Sequence, residues 1–327
     1  MKCEFDDNIF DLQTADFDAL ALEIFKFQYH NNPVYQKFCD TLDTKPDHIK
    51  LVKEIPFLPI SLFKTQRVVA GDWQPELVFE SSGTTQTVNS KHYVKKASIY
   101  RQSFTRAFEL FYGSPSDYCI LALLPAYLER KNSSLVLMAD ELIKMSNHPS
   151  NGFYLYNHES LKTILEQLEK AGQKTLLLGV TFALLDFAEK FPMTLRNTIV
   201  METGGMKGRR EELTREQVHE ILTNAFSIPA IHSEYGMTEL LSQAYSTGNG
   251  LFSCPPWMKI LLRDEDDPRS IETEQGRGVI NVIDFANIYS CSFIATDDAG
   301  RLYPNGNFEV IGRIDNSDIR GCSLMAL

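Results

Sequence analysis

Short apolar segments alternate with helix-like segments through the middle of this chain, and no other feature constrains its fold as tightly. The apolar segments have the length of strands and read ELVF, YCILALLP, TLLLGVT, NTIVMETGG and IPAIHSEYG. Between them, apolar residues at helical spacing predict helices at residues 96–112, 160–170, 181–190 and 214–226. Because parallel strands need helical crossovers, the alternation predicts an α/β fold with a largely parallel sheet.

The regions on either side of this alternation have other patterns. Helical spacing over residues 16–37 predicts one or two amphipathic helices. From residue 249 onward the pattern turns to β, in the segments WMKILLRD, GRGVINVIDF, SCSFIATDD and GNFEVIG. We therefore expect one continuous domain of three parts, namely an N-terminal helical segment packed on the core (1–75), an α/β lobe (76–248) and a smaller β-rich lobe with a tail (249–327).

Composition and charge exclude several classes of protein. The 327 residues carry a formal net charge of −11, whereas surfaces for nucleic acid or anionic membranes need clustered Lys and Arg. The six cysteines form no CxxC pair, which argues against a zinc site or a disulfide framework. The acidic N-terminus does not look like a secretory signal, and the longest apolar runs fall short of the roughly 20 residues that span a bilayer. We expect a soluble protein of the reducing cytoplasm.

Four polar loops follow strand candidates directly. In parallel sheets, ligands gather outside the carboxyl ends of the strands. We therefore expect a single cleft to be lined by the loops ESSGTT, LPAY, ETGGMKG and SEYGMTE.

The first of these loops holds five small or hydroxyl-bearing residues, at 81–85. Such side chains bury almost no apolar area, so packing does not explain them. Backbone N–H groups and hydroxyls in a glycine-containing turn after a strand can form a cradle for an anion such as phosphate. The alternative is an ordinary solvated turn, since Ser, Thr and Gly are common in turns.

The loop SEYGMTEL combines residue types that suit a nucleotide. Glu239 offers an oxygen ligand for Mg²⁺, Thr238 a hydroxyl for phosphate, and Tyr235 a flat surface for a purine. Gly236 provides a backbone hinge between them. The alternative is a helix start with Thr238 and Glu239 in its first turn.

The order of four motifs resembles a known superfamily. SSGTT, YGMTE, TDDAGRL and GRIDNSDIRG follow one another as they do in adenylate-forming enzymes, which include acyl-CoA synthetases, firefly luciferase and peptide-synthetase adenylation domains. The short length and the ending RGCSL look most like the acyl-protein synthetases of bacterial bioluminescence, which activate fatty acids. The resemblance implies the N-terminal lobe of the adenylate-forming fold, with largely parallel sheets flanked by helices and a smaller β-rich lobe, and without the mobile C-terminal lobe.

Matched by position, the resemblance implies an ATP site. Its residues would be Ser81, Ser82, Gly83, Thr84, Thr85, Gly204, Gly205, Met206, Tyr235, Gly236, Asp297 and Arg313. The loop 81–85 would surround the phosphates. Tyr235 would stack on adenine, with the backbone of residues 204–206 on the other face. Asp297 and Arg313 would bind the ribose hydroxyls.

The resemblance also implies a chemistry that needs ATP and Mg²⁺. Thr238 and Glu239 would hold phosphate and Mg²⁺ while a carboxylate attacks the α-phosphate. The product is a mixed anhydride in which AMP is a good leaving group. The metal ion and fixed donors would stabilise the charge that develops.

The chain departs from the family pattern in three places. The usual glycine after SSGTT is Gln86, and the following lysine, Lys91, stands two places later than in the common pattern. Most members also continue past the GR…RG hinge into a lobe that carries a lysine for adenylation, whereas this chain ends at Leu327. We expect a substitute cation among Lys207, Arg209, Arg210 and Lys91.

A cysteine in the tail suggests the acyl acceptor. Cys322 follows Gly321 and lies two places from Arg320, whose charge favours the thiolate. By resemblance to acyl-protein synthetases, Cys322 would take the acyl group as a thioester before passing it on. The alternative is a small buried residue, as we expect for Cys119 and Cys291 in their apolar runs.

The prediction is an enzyme that activates a carboxylic acid, most simply a fatty acid, as an acyl-adenylate and transfers it to a thiol. The thiol would belong to Cys322, a partner protein or an acyl carrier. Two alternatives are an acyltransferase that uses a preformed acyl donor and a nucleotide-binding module without catalysis. Five further residues stay open between a structural role and contact with a ligand, namely His92, His232, Tyr127, Ser133 and Ser134.

Overall fold

The computed structural model describes residues 9–11, 16–81, 88–125, 130–204 and 213–314. Its α helices are α1 (Phe17–Asn31), α2 (Pro33–Thr41), α3 (Leu62–Thr65), α4 (Ala97–Tyr112), α5 (Ser134–Ser146), α6 (His158–Ala171), α7 (Thr181–Lys190) and α8 (Arg215–Phe226). Its strands are β1 (Leu58–Pro59), β2 (Leu77–Glu80), β3 (Lys91–Val94), β4 (Cys119–Leu123), β5 (Gly152–Phe153), β6 (Thr175–Gly179), β7 (Thr198–Glu202), β8 (His232–Tyr235), β9 (Ala244–Ser246), β10 (Phe252–Ser253), β11 (Met258–Arg263), β12 (Ile271–Glu272), β13 (Gly276–Asp284), β14 (Phe293–Leu302) and β15 (Phe308–Arg313).

Local sequence explains where several helices begin. The Asn32 side chain accepts hydrogen bonds from the N–H groups of Val34 and Tyr35, directly before the proline that opens α2. Thr214 and Gln217 cap α8 reciprocally through side chain and backbone. The helices predicted at 96–112, 160–170, 181–190 and 214–226 are confirmed as α4, α6, α7 and α8.

A parallel sheet forms the centre of the molecule, as predicted. β4 pairs in parallel with β5 and β6, β6 with β7, and β7 with β8. Every residue of β4 and β6 is buried, because helices cover both faces of the sheet. Apolar side chains of α6, α7 and α8 pack on one face, and those of α4 and α5 pack on the other.

The β-rich part continues the same sheet rather than forming a separate one. The strand order runs β12-β11-β13-β14-β15-β10-β9-β8-β7-β6-β4-β5, and the pairing changes from antiparallel to parallel at β8. The N-terminal helices pack against this β-rich part. Gln28 Nε2 lies 3.2 Å from the Asn287 carbonyl oxygen, and the ring of Tyr35 stacks on Phe293.

The strand before the Ser/Thr loop lies outside the large sheet, contrary to the sequence prediction. β2 pairs only with β3, antiparallel, and Phe79 faces His92 in the register. The two strands follow each other in the chain and pair antiparallel, so they form a hairpin. No described helix is long and apolar enough to cross a membrane.

Candidate active site

Of the predicted phosphate loop, the structure describes Ser81, whereas Ser82, Gly83, Thr84 and Thr85 lie outside the described residues. Ser81 Oγ accepts a hydrogen bond of 2.9 Å from the Ser90 N–H. The Ser81 N–H donates to the Ser90 carbonyl at 3.1 Å. These two bonds close the loop at its base.

A cleft of about 440 Å³ lies between the base of this loop and the segment that precedes α5. The Glu80 N–H donates to the Asn132 carbonyl at 2.8 Å, which ties the two segments together. Arg130 and Lys131 line the cleft together with Ser81 and with Ser133, one of the residues left open by the sequence. Lys91, a candidate cation, pairs instead with Glu80 at 3.4 Å.

Tyr235 stands at the end of β8 and is buried. Its hydroxyl donates to Asp298 Oδ2 at 2.9 Å. The rings of Phe252 and Phe308 pack edge-on against it at 5.9 and 5.4 Å. Burial, followed by the charge of Asp298, raises the pKa of Tyr235, so this hydroxyl stays protonated.

Arg313 reaches the same carboxylate from the neighbouring strand. Arg313 Nε lies 3.3 Å from Asp298 Oδ1, and the two residues are directly opposite in the β14–β15 register. Side chains alternate between faces along a strand, so Asp297 points away from Asp298. Tyr235 and Arg313 therefore meet at Asp298, whereas the sequence indicates Asp297 as the partner of Arg313. The alternation within TDDAGRL could have indicated Asp298.

Glu239 is buried beside the hairpin formed by β2 and β3. Burial raises the pKa of its carboxyl, while a hydrogen bond from the Ser90 side chain and the charges of Arg313 and Lys64 act in the opposite direction. Ser90 of the hairpin and Arg313 at the end of β15 are far apart in sequence, and both act on the Glu239 carboxyl group. Lys64 was missed by the sequence analysis, because nothing in its segment marks it as part of a site.

His92 joins the hairpin to the loop that follows β8. Its Nδ1 lies 3.0 Å from the Thr238 carbonyl oxygen, which only accepts, so Nδ1 carries the proton. Its Nε2 then accepts from the Ser290 hydroxyl at 2.8 Å. His92 is 1% exposed, and burial lowers its pKa to about 4. It is a neutral residue that positions Thr238.

Gly204 opens the third loop, and its N–H donates to Glu202 Oε2 at 2.8 Å. Burial raises the pKa of Glu202, but hydrogen bonds and charge from His219, Arg215 and the Gly204 N–H outweigh burial and bring it to about 2. Gly204 has a φ of +71°, which glycine adopts without strain. The predicted residues Gly205, Met206, Lys207, Arg209 and Arg210 lie outside the described residues.

Two of the open residues have clear structural contacts. Tyr112 Oη lies 3.3 Å from His232 Nδ1, and burial lowers the pKa of this histidine. The Ser134 carbonyl accepts from the Tyr100 hydroxyl at 2.9 Å. Tyr127 and Cys322 lie outside the described residues.

The described cysteines are poor nucleophiles. Cys39, Cys119 and Cys291 are buried as expected for core residues, and Cys254 is half-buried. Burial raises the pKa of Cys39 and of Cys119 to about 12, and it also raises those of Cys254 and Cys291. A thiol at such a pKa holds almost no thiolate at neutral pH.

Comparison with known proteins identifies the family. The family model described as "Acyl-protein synthetase, LuxE" matches residues 2–326. A similar protein is the long-chain-fatty-acid–luciferin-component ligase of Vibrio harveyi, which is 21% identical over an alignment of 322 residues, with 92% of this chain and 84% of the relative covered.

Solved structures show the same fold at lower identity. An open conformation of 2-hydroxyisobutyryl-CoA ligase has a TM-score of 0.65 at 14% identity, with 96% of this chain and 79% of that chain covered. ATP-bound MatB from Rhodopseudomonas palustris has a TM-score of 0.55 at 14% identity over 74% of this chain, which spans about half (49%) of MatB. Because the family match covers nearly every residue, this chain belongs to the LuxE family of acyl-protein synthetases.

Proposed function

We propose that this protein activates a carboxylic acid with ATP and transfers the acyl group to a thiol. A carboxylate oxygen attacks the α-phosphorus of ATP, pyrophosphate leaves, and an acyl-adenylate forms. A thiolate then attacks the acyl carbon, AMP leaves, and a thioester forms. The relative from Vibrio harveyi is named for a long-chain fatty acid, which favours an acyl chain of the fatty-acid class.

One observation carries this proposal. Asp298 contacts both Tyr235, at 2.9 Å, and Arg313, at 3.3 Å, and the charge of Arg313 also acts on Glu239. The purine-facing tyrosine, the arginine and the acid of three separate motifs thus converge on one corner of the sheet. We assign the ribose to Asp298 and Arg313, with Asp297 as the residue for comparison.

Glu239 is suited to bind Mg²⁺ together with the phosphates of a nucleotide. Among the residues that the structure describes, no group of three or more His, Cys, Asp or Glu side chains could hold a metal ion. Mg²⁺ in nucleotide sites is usually bound by one or two carboxylates together with substrate phosphates, and Glu239 provides one carboxylate. The ion would neutralise phosphate charge, and Glu239 would orient it.

The protonation state of the described cysteines narrows the choice of the acceptor thiol. The four described ones are held as neutral thiols, which leaves Cys3 and Cys322 of the six in the sequence. We assign the acceptor role to Cys322, because Arg320 stands two places before it. Its thioester can then pass to a partner protein or an acyl carrier. An unprotected thiol acceptor also favours the reducing cytoplasm.

Carboxylate-dependent exchange of labelled pyrophosphate into ATP tests the first step. We expect exchange with at least one acid in a panel of differing chain length and polarity. Glu239→Gln should lower exchange about tenfold or more while leaving AMP binding nearly unchanged, because only the metal-bound phosphates lose a ligand. If the folded protein catalyses no exchange with any acid, the result would contradict adenylation and favour an acyltransferase or a binding module.

A further inference from the structure

A carboxyl group to which the described part of the chain provides no hydrogen-bond partner lies beside the proposed site. Glu234 occupies β8, directly before Tyr235, and is half-buried between two buried neighbours. Its cross-strand partner is Tyr245. Burial, and to a smaller degree Glu234 itself, raises the pKa of Tyr100, Tyr112 and Tyr245, so the carboxyl lies near all three rings. No described residue forms a hydrogen bond or ion pair with it.

The Gln243 side chain is a second polar group at this place in the fold, and like Glu234 it lies beside Gly236. Gln243 is 4% exposed, and its Oε1 has no hydrogen-bond partner among the described residues. A Cβ atom at Gly236 would lie 2.4 Å from Glu234 Oε1 and 3.4 Å from Gln243 Cγ. The carboxyl and the amide therefore flank the same glycine. A buried amide oxygen without a donor is uncommon in folded proteins and points to a missing partner.

Glu234 can act as a hydrogen-bond donor. Burial, and then the charge of Glu202, raises its pKa to about 8. Glu202 keeps its own charge through His219 and Arg215, so the two acids differ in protonation. At neutral pH, Glu234 is therefore mainly a carboxylic acid, with one O–H to donate and one oxygen to accept.

The placement of Glu234 suits contact with the acid substrate. β8 is a central strand, parallel to β7 and antiparallel to β9, and its carboxyl end leads directly into the loop that holds Thr238 and Glu239. Ligands of such sheets bind beyond this end. The surrounding tyrosines provide an apolar wall for an acyl chain, and Glu234 and Gln243 are the polar groups within it.

We propose that Glu234 and Gln243 bind a hydroxyl group on the acyl chain, so that the preferred substrate is a hydroxylated carboxylic acid. This inference rests on the proposed function. A hydroxyl can accept from the Glu234 O–H and donate to Gln243 Oε1 at once, which satisfies both groups. A plain alkyl chain would leave both without a partner, and sites built to bind a hydroxyl reject the analogue that lacks it.

The test compares hexanoate with hydroxyhexanoates that differ in the position of the hydroxyl. We expect one hydroxyhexanoate to exceed hexanoate about tenfold or more in kcat/KM for pyrophosphate exchange. Glu234→Leu and Gln243→Leu should abolish this preference, largely through KM. Glu234→Gln should keep it, because glutamine also offers a donor and an acceptor. Glu220→Leu makes the same apolar change at an exposed site and should have no effect.

The remaining outcomes either overturn the inference or distinguish its failure from a failure of the proposed function. Equal or better exchange with hexanoate, or a preference for an amino acid of the same length, overturns the inference while supporting adenylation. If no acid supports exchange, the proposed function fails. Calorimetry of the same acids in the presence of AMP then decides the inference, since tighter binding of a hydroxyhexanoate that is lost in Glu234→Leu supports it and equal binding overturns it.

Discussion

At the scale of single residues, the structure distinguishes two adjacent aspartates, and the proposed ribose contact depends on which of them is used. The sequence motif predicts Asp297, whereas Asp298 is the one that contacts Tyr235 and Arg313. Strand alternation separates the two side chains, and a pattern of residue types alone does not show which face of β14 meets β8. The arrangement of β14 relative to β8 in the fold therefore determines which aspartate contacts Tyr235.

Asp298→Asn should weaken AMP binding roughly ten- to hundred-fold, which corresponds to about 1–3 kcal/mol for the loss of charged hydrogen bonds. Asp297→Asn is the matched control and should bind AMP about as the unchanged protein does. Isothermal titration calorimetry measures both. A large loss in Asp297→Asn together with normal binding by Asp298→Asn would restore the sequence prediction and make Asp298 a purely structural residue.

At the scale of elements, the hairpin of β2 and β3 is attached to the loop after β8 through His92. This residue is neutral and 1% exposed, so its protonation would bury a charge and leave Nε2 unable to accept from the Ser290 hydroxyl. The hairpin was the main error of the sequence prediction. ELVF has the apolar pattern of a central strand, but it pairs antiparallel with β3 in a separate two-stranded sheet.

His92 should make stability depend on pH. Its pKa is about 4 in the folded protein against 6.5 when exposed, so the unfolded chain binds the proton more readily. The stabilisation is complete above about pH 6.5 and is lost as pH falls toward about 4, for a total of about 3 kcal/mol. Urea unfolding of the unchanged protein and of His92→Gln measures it. Parallel pH dependence of the two proteins would show that His92 does not titrate as described.

At the scale of the whole molecule, the sequence predicts the fold class well but not the contacts between distant segments. Alternating apolar and helical segments were sufficient for the parallel centre, since β4 and β6 are buried on both faces. The continuity of the sheet from β8 through β15 depends on pairing between distant segments, which periodicity does not encode. Glu234 and Gln243 were missed for the same reason, because only the fold places them on either side of Gly236.

Acylation of Cys322 tests the central claim most directly, because it requires both adenylation and transfer. The protein is incubated with ATP, Mg²⁺ and the best acid of the exchange panel, and its peptides are analysed by mass spectrometry. We expect an ATP-dependent acyl adduct on Cys322 that hydroxylamine removes and that Cys322→Ser lacks, with Cys3→Ser as the matched control that keeps it. Accumulation of acyl-AMP with no cysteine labelled would contradict transfer to the protein's own thiol.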